Sequence, residues 1–348
     1  MTKKPTLTGL IPEEITALLP PGKEKYRGIQ IFRWVHEWGV DSFEEMTNLS
    51  KAFRSEIGTR FTIGAIEQRE TISSSDGSTV KFLWGLSDGA AIESVIIRDE
   101  DRVTLCLSSQ VGCRMRCMFC RTGRMGFTRN MTAGEIIDQV IKMRKVLAET
   151  GEDITNVVFM GMGEPLDNFE SVARSIDILN RETALMIGQR KITVSTCGIP
   201  DDIVRLGEQF RRISLAVSLN APDDKLRNRL MPITRKYPLK NLLDAVRHFT
   251  RITGRRVTFE YILMDGINDS PEHARKLLAI ARTVPSKINL IAFNEFEGSP
   301  FSRPPDSALE RFQAILFDGN ITAMMRKSKG TDILAACGQL ASYEYHSL

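Results

Sequence analysis

The chain has 348 residues, enough for one large domain with a small appendage, and its 42% hydrophobic and 26% charged residues are near the average of folded proteins. A net charge of +4 excludes a histone-like polycation and by itself says little about a nucleic-acid partner. No apolar run reaches the roughly 20 residues that a membrane helix needs, and the first residues lack the apolar core of a secretory signal. We therefore expect a cytoplasmic protein.

Residues 1–62 are predicted to form a small helical accessory domain. Apolar residues at helical spacing indicate helices over residues 12–19, 26–38 and 42–57, and no chemistry stands out there. Residues 63–100 alternate in polarity and are broken by SSSDGS and SDGA. They predict a β-hairpin adaptor with strands at TVKFLWGL and AIESVII.

Residues 101–348 are predicted to form the core domain, in which strands alternate with amphipathic helices. Two of these helices span residues 132–147 and 238–252, and the first opens with a capping-box pattern at Thr132 and Glu135. The predicted strands are VTLCLSS, NVVFMG, KITVST, ISLAVSLN, RVTFEYIL, KINLIAFN and ITAMMRK. About six βα units indicate an α/β fold with a parallel sheet, either open or a partial barrel, because a closed barrel needs about eight. In such folds the active site gathers at the carboxyl ends of the strands.

Three of the six cysteines form a C-x3-C-x2-C pattern directly after the first core strand. Cys113, Cys117 and Cys120 lie on one predicted loop, which suits a metal or an iron-sulfur cluster better than disulfides. A zinc site would need a fourth ligand nearby, yet the nearest downstream histidine is His248. Three thiolates on a four-iron cluster leave one iron open for the amino and carboxylate groups of S-adenosylmethionine (SAM). The pattern resembles the radical SAM superfamily.

Further segments narrow the resemblance and cover nearly the whole chain. ESVIIRDEDRVTLCLSSQVGC, FMGMGEPLDN, KITVSTCGI, LMPITRKYPL, YILMDGINDSPEHA and ILAACGQLA resemble the RlmN type of bacterial RNA methyltransferase, which methylates carbon 2 of adenine. Relatives of the Cfr type methylate carbon 8 and tend to carry alanine where this chain has Pro165. The resemblance implies a partial (βα)6 radical SAM barrel with an N-terminal helical accessory domain. It also implies a [4Fe-4S] cluster on the three cysteines and two SAM molecules per turnover.

The resemblance gives catalytic roles to three more residues. Cys337, in AACGQL, matches the cysteine that one SAM methylates on sulfur. A 5′-deoxyadenosyl radical from a second SAM then takes hydrogen from that methyl group, which adds to adenine. Cys106 matches the residue that attacks the Cys337 sulfur, forms a disulfide and frees the base, and Glu93 matches the proposed proton acceptor. Cys197 is expected to be an ordinary core residue.

The resemblance also implies SAM contacts that follow the strand ends. A glycine in GMGEP lets the backbone approach, and the neighbouring carboxylate could hold the SAM amino group. Asn220 stands where the family commonly has histidine, and Ala292 and Glu295 stand where it usually has proline. The implied contacts are Gly163, Glu164, Ser195, Ser218, Leu219, Asn220 and Asn294.

The family acts on an adenosine in the peptidyl-transferase region of 23S rRNA, and some members also modify the adenosine 3′ of a tRNA anticodon. A base that is modified must leave its stack, and basic loops would hold the unpaired strand. Candidate basic loops are CRMRC with RTGRMGFTRN, KLRNRLMPITRKYP and RITGRR. An external one-electron reductant such as flavodoxin or ferredoxin is implied, and neither DNA nor a membrane is expected as a partner.

Two other readings stay open at this point. In a non-enzymatic RNA-binding module, zinc or an iron-sulfur cluster bound to the cysteines would only stabilise a loop. This interpretation gives no role to Cys106, Cys337 and GMGEP. A radical SAM enzyme of another subclass, such as a glycyl-radical activator, leaves AACGQL unexplained.

Overall fold

Strands and helices alternate through most of the chain. The computed structural model describes residues 4–20 and 25–341. Its strands are β1 (Ile66–Ser73), β2 (Thr79–Leu86), β3 (Ala91–Asp99), β4 (Arg102–Cys106), β5 (Gln110–Gly112), β6 (Phe127–Asn130), β7 (Asn156–Phe159), β8 (Ile192–Thr196), β9 (Ser214–Ser218), β10 (Val257–Leu263), β11 (Ser286–Ala292) and β12 (Ala323–Arg326). Its helices are α1 (Pro12–Leu18), α2 (Lys25–His36), α3 (Lys51–Arg60), α4 (Arg121–Arg124), α5 (Ala133–Glu149), α6 (Phe169–Asn180), α7 (Pro200–Gln209), α8 (Asp224–Leu230), α9 (Leu239–Thr253), α10 (Pro271–Ala281) and α11 (Asp306–Asp318).

Ten strands form one sheet in the order β1-β2-β3-β4-β7-β8-β9-β10-β11-β12, and β5 and β6 form a separate pair. β4 and β7 to β12 run parallel to one another, and α5, α6, α7, α9, α10 and α11 connect them in turn. The predicted partial (βα)6 fold is therefore confirmed. The sheet curls so far that Lys329, after β12, forms an ion pair of 2.7 Å with Asp99 at the end of β3.

Local sequence signals explain the core helices. Thr132 caps α5, since its hydroxyl accepts the Glu135 amide and the Glu135 carboxylate accepts the Thr132 amide. The apolar residues of α9 recur at helical spacing and are buried, and the helix ends at Gly254 with a left-handed φ of 66°. The predicted boundaries of both helices agree with the structure to within two residues.

The N-terminal helices differ from prediction at one point. Residues 42–57 are not one helix: a 3₁₀ turn over Phe43–Glu45 is followed by α3. Ser50 separates the two, because its hydroxyl accepts the Phe53 amide and starts a new helix. The segment between α3 and β1 is held on the core by α5, where the Asp138 carboxylate accepts the amides of Ala65 and Ile66.

The predicted hairpin strands are present as β2 and β3, but the unit has a third strand, β1. β1 escapes prediction because its sequence IEQRETIS is mostly polar, and most of it is exposed at the edge of the sheet. The three antiparallel strands continue the core sheet through the pairing of β3 with β4. The predicted core domain ends at residue 348, and its last seven residues lie outside the described ranges. Within the described ranges, no helix is both long and apolar enough to cross a membrane.

Candidate active site

One cavity lies at the carboxyl ends of the parallel strands. Because these ends meet at one edge of the sheet, residues far apart in the sequence face the same space. The cavity brings together most of the predicted site, and its lining includes Cys113, Cys117, Cys120, Gly163, Glu164, Ser195, Ser218, Asn220, Cys337 and Gly338. Leu219 is fully buried and, like Asn294, Cys106 and Glu93, lies outside this lining.

The cysteine loop, residues 113–120, alternates between inward and outward side chains. Its three cysteines line the cavity, whereas Arg114, Arg116 and Met118 are exposed. Arg116 has a left-handed φ of 53°, a conformation that is uncommon for a residue with a side chain. The backbone of the loop therefore holds the thiols on one side and the basic side chains on the other.

The donor set of this loop fits an iron-sulfur cluster. Burial raises the pKa of Cys113 well above its usual range and that of Cys120 to about 11, so both thiols keep their protons until a metal displaces them. Among the described residues, no three His, Cys, Asp or Glu side chains are arranged to hold a single ion. A [4Fe-4S] cluster offers a separate iron to each thiolate, and three cysteines that face one cavity from one loop suit it.

Cys197 is not the remote core residue that we expected. It follows β8 directly, lines the cavity, and lies with its Sγ 3.6 Å from the Sγ of Cys117. Its position directly after a parallel strand is the sequence signal that could have identified it, because the active site of this fold gathers at strand ends.

The Cys337 loop is held by residues next to the cysteine loop. The Arg121 amide donates to the Gly338 carbonyl at 2.8 Å, and the Thr122 hydroxyl donates to the Leu340 carbonyl at 2.7 Å. From the other side, the Asn294 amide donates to the Cys337 carbonyl at 3.1 Å. These bonds fix Cys337 at the cavity. Asn294 therefore positions the Cys337 loop, and its contact with SAM stays a prediction.

Cys106 lies at the end of β4 within electrostatic reach of Cys337. Burial, with a smaller contribution from the charge of Cys337, raises the pKa of Cys106 to about 12. Arg326, at the end of β12, opposes this effect, and in return Cys337 raises the pKa of the Arg326 guanidinium. The sequence did not single out Arg326. All six cysteines are free thiols, so the disulfide implied by the resemblance is absent from this structure.

Glu93 lies on β3 and is 1% exposed. One of its carboxylate oxygens lies 3.2 Å from the Lys81 ammonium on β2, and the other accepts the Ala341 amide at 2.8 Å. The register pairs Val95 with Cys106, so the side chains of Glu93 and Cys106 project from the same face of the sheet. Sequence reasoning did not find Lys81, because a lone lysine in a strand gives no signal.

Two of the predicted SAM contacts already have partners within the chain. The Glu164 carboxylate accepts the amides of Leu166 and Cys197, and burial raises its pKa. Asn220 has a φ of 55°, and its side-chain oxygen accepts the Ile262 amide. Both residues therefore shape the cavity wall through hydrogen bonds within the chain. The sequence did not predict these bonds.

The predicted basic loops do not act as one surface. Arg227 is fully buried and donates to the carbonyls of Leu219, Cys197 and Ser218, so it supports the strand ends. Arg129 is paired with Asp88 and Glu135. The RITGRR segment precedes β10 and lies at the opposite edge of the sheet from the cavity. Exposed cations of the predicted basic loops include Arg114, Arg116, Arg124, Arg235 and Lys236.

Comparison with known families agrees with this architecture. Residues 107–278 match the model of the radical SAM superfamily, and residues 7–63 match the model described as the N-terminal domain of the ribosomal RNA large subunit methyltransferase. The second match covers the N-terminal helical piece.

Curated relatives and a solved structure match almost the whole chain. A protein from Pelobacter propionicus named dual-specificity RNA methyltransferase RlmN is 46% identical over 98% of this chain and 96% of its own length. A protein of the same name from Geobacter sulfurreducens is 47% identical over 93% of this chain and 88% of its own length. A radical SAM methyltransferase from Sphaerobacter thermophilus superposes with a TM-score of 0.93 at 42% identity, covering 97% of this chain and 99% of that one.

Proposed function

The chain belongs to the radical SAM superfamily and, within it, to the RlmN type of RNA methyltransferase, and we propose that it methylates carbon 2 of one adenosine in 23S rRNA. The observation that carries this proposal is that Cys337 lines the same cavity as Cys113, Cys117 and Cys120. The relatives named RlmN favour carbon 2 over the carbon-8 reaction of the Cfr type. Their description as dual-specific supports a second substrate, the adenosine 3′ of the anticodon in some tRNAs.

The cofactors are a [4Fe-4S] cluster and SAM. Cys113, Cys117 and Cys120 would hold the cluster, and Gly163, Glu164, Ser195, Ser218 and Asn220 would form the wall against SAM, with Leu219 buried behind it. When bound, these groups supply a carbon-centred radical that can take a hydrogen atom from a methyl group. The chain's own part is to hold the methyl group and the base beside each other and to exclude water.

Cys337 accepts a methyl group on sulfur, so it must react as a thiolate. Arg326 supplies a positive charge near both reactive residues, and at Cys106 this charge opposes the rise in pKa that burial causes. After the carbon-carbon bond has formed, Glu93 would accept the proton that leaves the base, and the ammonium of Lys81 would offset its charge. The Cys106 thiolate would then attack the Cys337 sulfur, so that a sulfur-sulfur bond forms while the sulfur-carbon bond to the RNA breaks. The freed carbon takes up a proton and becomes the methyl group of the released RNA.

The partners follow from this chemistry. The RNA is unpaired at the target base, and Arg235 and Lys236 would contact its phosphates. A one-electron donor such as flavodoxin or ferredoxin supplies electrons to the cluster. The substrate RNA also supports a cytoplasmic location.

The test is product analysis. Anaerobically reconstituted protein is incubated with SAM, a reductant and a 23S rRNA fragment, and the digested RNA is compared by mass spectrometry with both methyladenosine standards. Carbon-2 methyladenosine, lost in Cys337→Ala, supports the proposal. A carbon-8 product would move the chain to the Cfr type, and SAM cleavage without methylated adenosine would refute the RNA assignment.

A further inference from the structure

A shallow groove of about 500 Å³ lies on the outer side of the cysteine loop, facing away from Cys337. Arg116, Met118, Gly123 and Arg124 line it, and Pro300 completes its edge. The side chains that line the groove are the outward members of the loop, whereas the cysteines of the same loop face the cavity. The groove and the cavity therefore lie on opposite sides of one stretch of backbone.

The wall between the two spaces is thin. Gly123 lines both the groove and the cavity. A Cβ atom added at Gly123 would lie 2.9 Å from the backbone nitrogen and oxygen of Cys117, so the two backbones are in direct contact. Met118, which is 42% exposed, is also bonded directly to Cys117. A molecule in the groove would be separated from a cluster ligand by about one residue.

The groove is positively charged. Arg116 and Arg124 are both exposed, and no acidic residue lines the groove with them. Among the described residues, the Arg116 guanidinium forms no ion pair, and Arg124 donates to the uncharged Gly298 carbonyl at 2.7 Å. The surface thus combines an exposed thioether with two cations that form no ion pair within the described part of the chain.

A neighbouring groove, which shares Arg116 with the first, lacks this positive character. Its lining holds basic and acidic side chains in equal number, Arg114, Arg116 and Lys236 against Asp167, Glu170 and Asp202. Opposite charges in one groove cancel at a distance, so this second groove attracts a charged partner weakly.

We propose that the groove around Arg116, Met118 and Arg124 docks an acidic one-electron carrier protein of the flavodoxin class. The inference rests on the proposed function, which requires electrons, and names where they enter. In the docked complex one electron leaves the reduced carrier and enters the cluster. The carrier is oxidised by one electron, the cluster is reduced by one, and no covalent bond forms or breaks.

RNA fits this groove less well than an electron carrier. The target base must reach Cys337, which lies in the cavity on the inner side of the loop. An electron can pass through the thin wall at Gly123, but a base cannot. Weak redox complexes also bury small areas and are steered by charge, which matches a shallow basic groove with an apolar centre.

The experiment uses the holoenzyme with its cluster and compares two double variants of equal charge change. Arg116→Glu with Arg124→Glu alters the groove. Arg212→Glu with Arg256→Glu alters exposed residues that precede β9 and β10, at the opposite edge of the sheet. Bleaching of the cluster absorbance is followed by stopped flow with reduced flavodoxin and, separately, with dithionite. Equilibrium binding of oxidised flavodoxin and of the RNA fragment is measured in parallel.

We expect the groove variant to lose roughly 10- to 100-fold in the second-order rate with flavodoxin and to lose flavodoxin binding. The rate with dithionite, which needs no docking, and the affinity for RNA should stay within about twofold, and the control variant should resemble the wild type. Equal rates in the two double variants, or a loss of RNA affinity with unchanged flavodoxin reduction, would overturn the proposal.

Two further measurements guard against misfolding and against failure of the wider assignment. Arg116→Gln with Arg124→Gln is a milder pair that should give an intermediate loss, and the wild-type rate should fall as salt is added. If flavodoxin docks and reduces the cluster but no methyladenosine forms, the docking site stands and the proposed RNA reaction fails.

Discussion

The ion pair of Lys81 and Glu93 connects the stability of the β2–β3 strands to the proposed proton acceptor. The two side chains are 6% and 1% exposed and lie 3.2 Å apart. At an effective dielectric constant of about 20, charges at this separation attract by about 5 kcal/mol, and loss of one partner of a buried pair costs about 3 to 5 kcal/mol. We expect Lys81→Met to destabilise the protein by that amount, because the Glu93 charge loses its lysine.

The assay is urea unfolding of the cluster-free protein under reducing conditions. Lys81→Met with Glu93→Gln should recover most of the loss, because the second change removes the buried charge. The control is Lys240→Met, which breaks an exposed pair with Asp244 and should cost less than about 0.5 kcal/mol. If the double variant is as unstable as Lys81→Met, or if Lys81→Met costs no more than the control, the electrostatic reasoning is wrong.

Four other outcomes are expected. Cys106→Ala should trap RNA on Cys337, seen as a slow band on denaturing gels; absence of the band contradicts the release step. Because burial raises the pKa of Cys106 to about 12, its thiolate fraction, and hence the release rate of the adduct, should rise about tenfold per pH unit between pH 7 and 9. Gly163→Ala should abolish SAM binding, which equilibrium dialysis measures. The φ of Gly163 is 102°, and the new Cβ would lie 2.5 Å from the Gln110 Cβ. Asn294→Ala should slow the methylation of Cys337 at least about fivefold, because it removes a hydrogen bond worth about 1 kcal/mol that positions the loop. Peptide mass spectrometry measures this rate, and the cluster content should be unchanged.

The core of the fold follows from the sequence because its elements carry strong local signals. The parallel strands are buried and rich in branched residues, and the helices between them have clear apolar faces and caps, as Thr132 shows for α5. β1 lacks these signals because it is a polar edge strand, and the break at Ser50 depends on a single capping hydroxyl. Elements that owe their conformation to neighbours or to one side chain are the ones that sequence periodicity misses.

The site likewise has residues that the sequence predicts and contacts that it does not predict. The spacing of the cluster cysteines and the strand-end positions of Gly163, Ser195 and Ser218 are readable from the sequence, because topology alone brings them together. The partners of these residues are not readable. The pairing of Lys81 with Glu93 depends on the register of β2 against β3, which sequence periodicity does not give. Arg121 contacts the Cys337 loop across 218 residues of sequence, a distance over which no local signal acts.

The central claim is that the transferred carbon passes through Cys337, and the most direct test is its isotopic history. Protein that carries no methyl group on Cys337 is incubated anaerobically with SAM whose methyl group is fully deuterated. Both the Cys337 peptide and the RNA nucleosides are then analysed by mass spectrometry. The account predicts a labelled Cys337 and a carbon-2 methyladenosine that has lost one deuterium to hydrogen abstraction. A product that keeps every deuterium, formed with no label on Cys337, would contradict it.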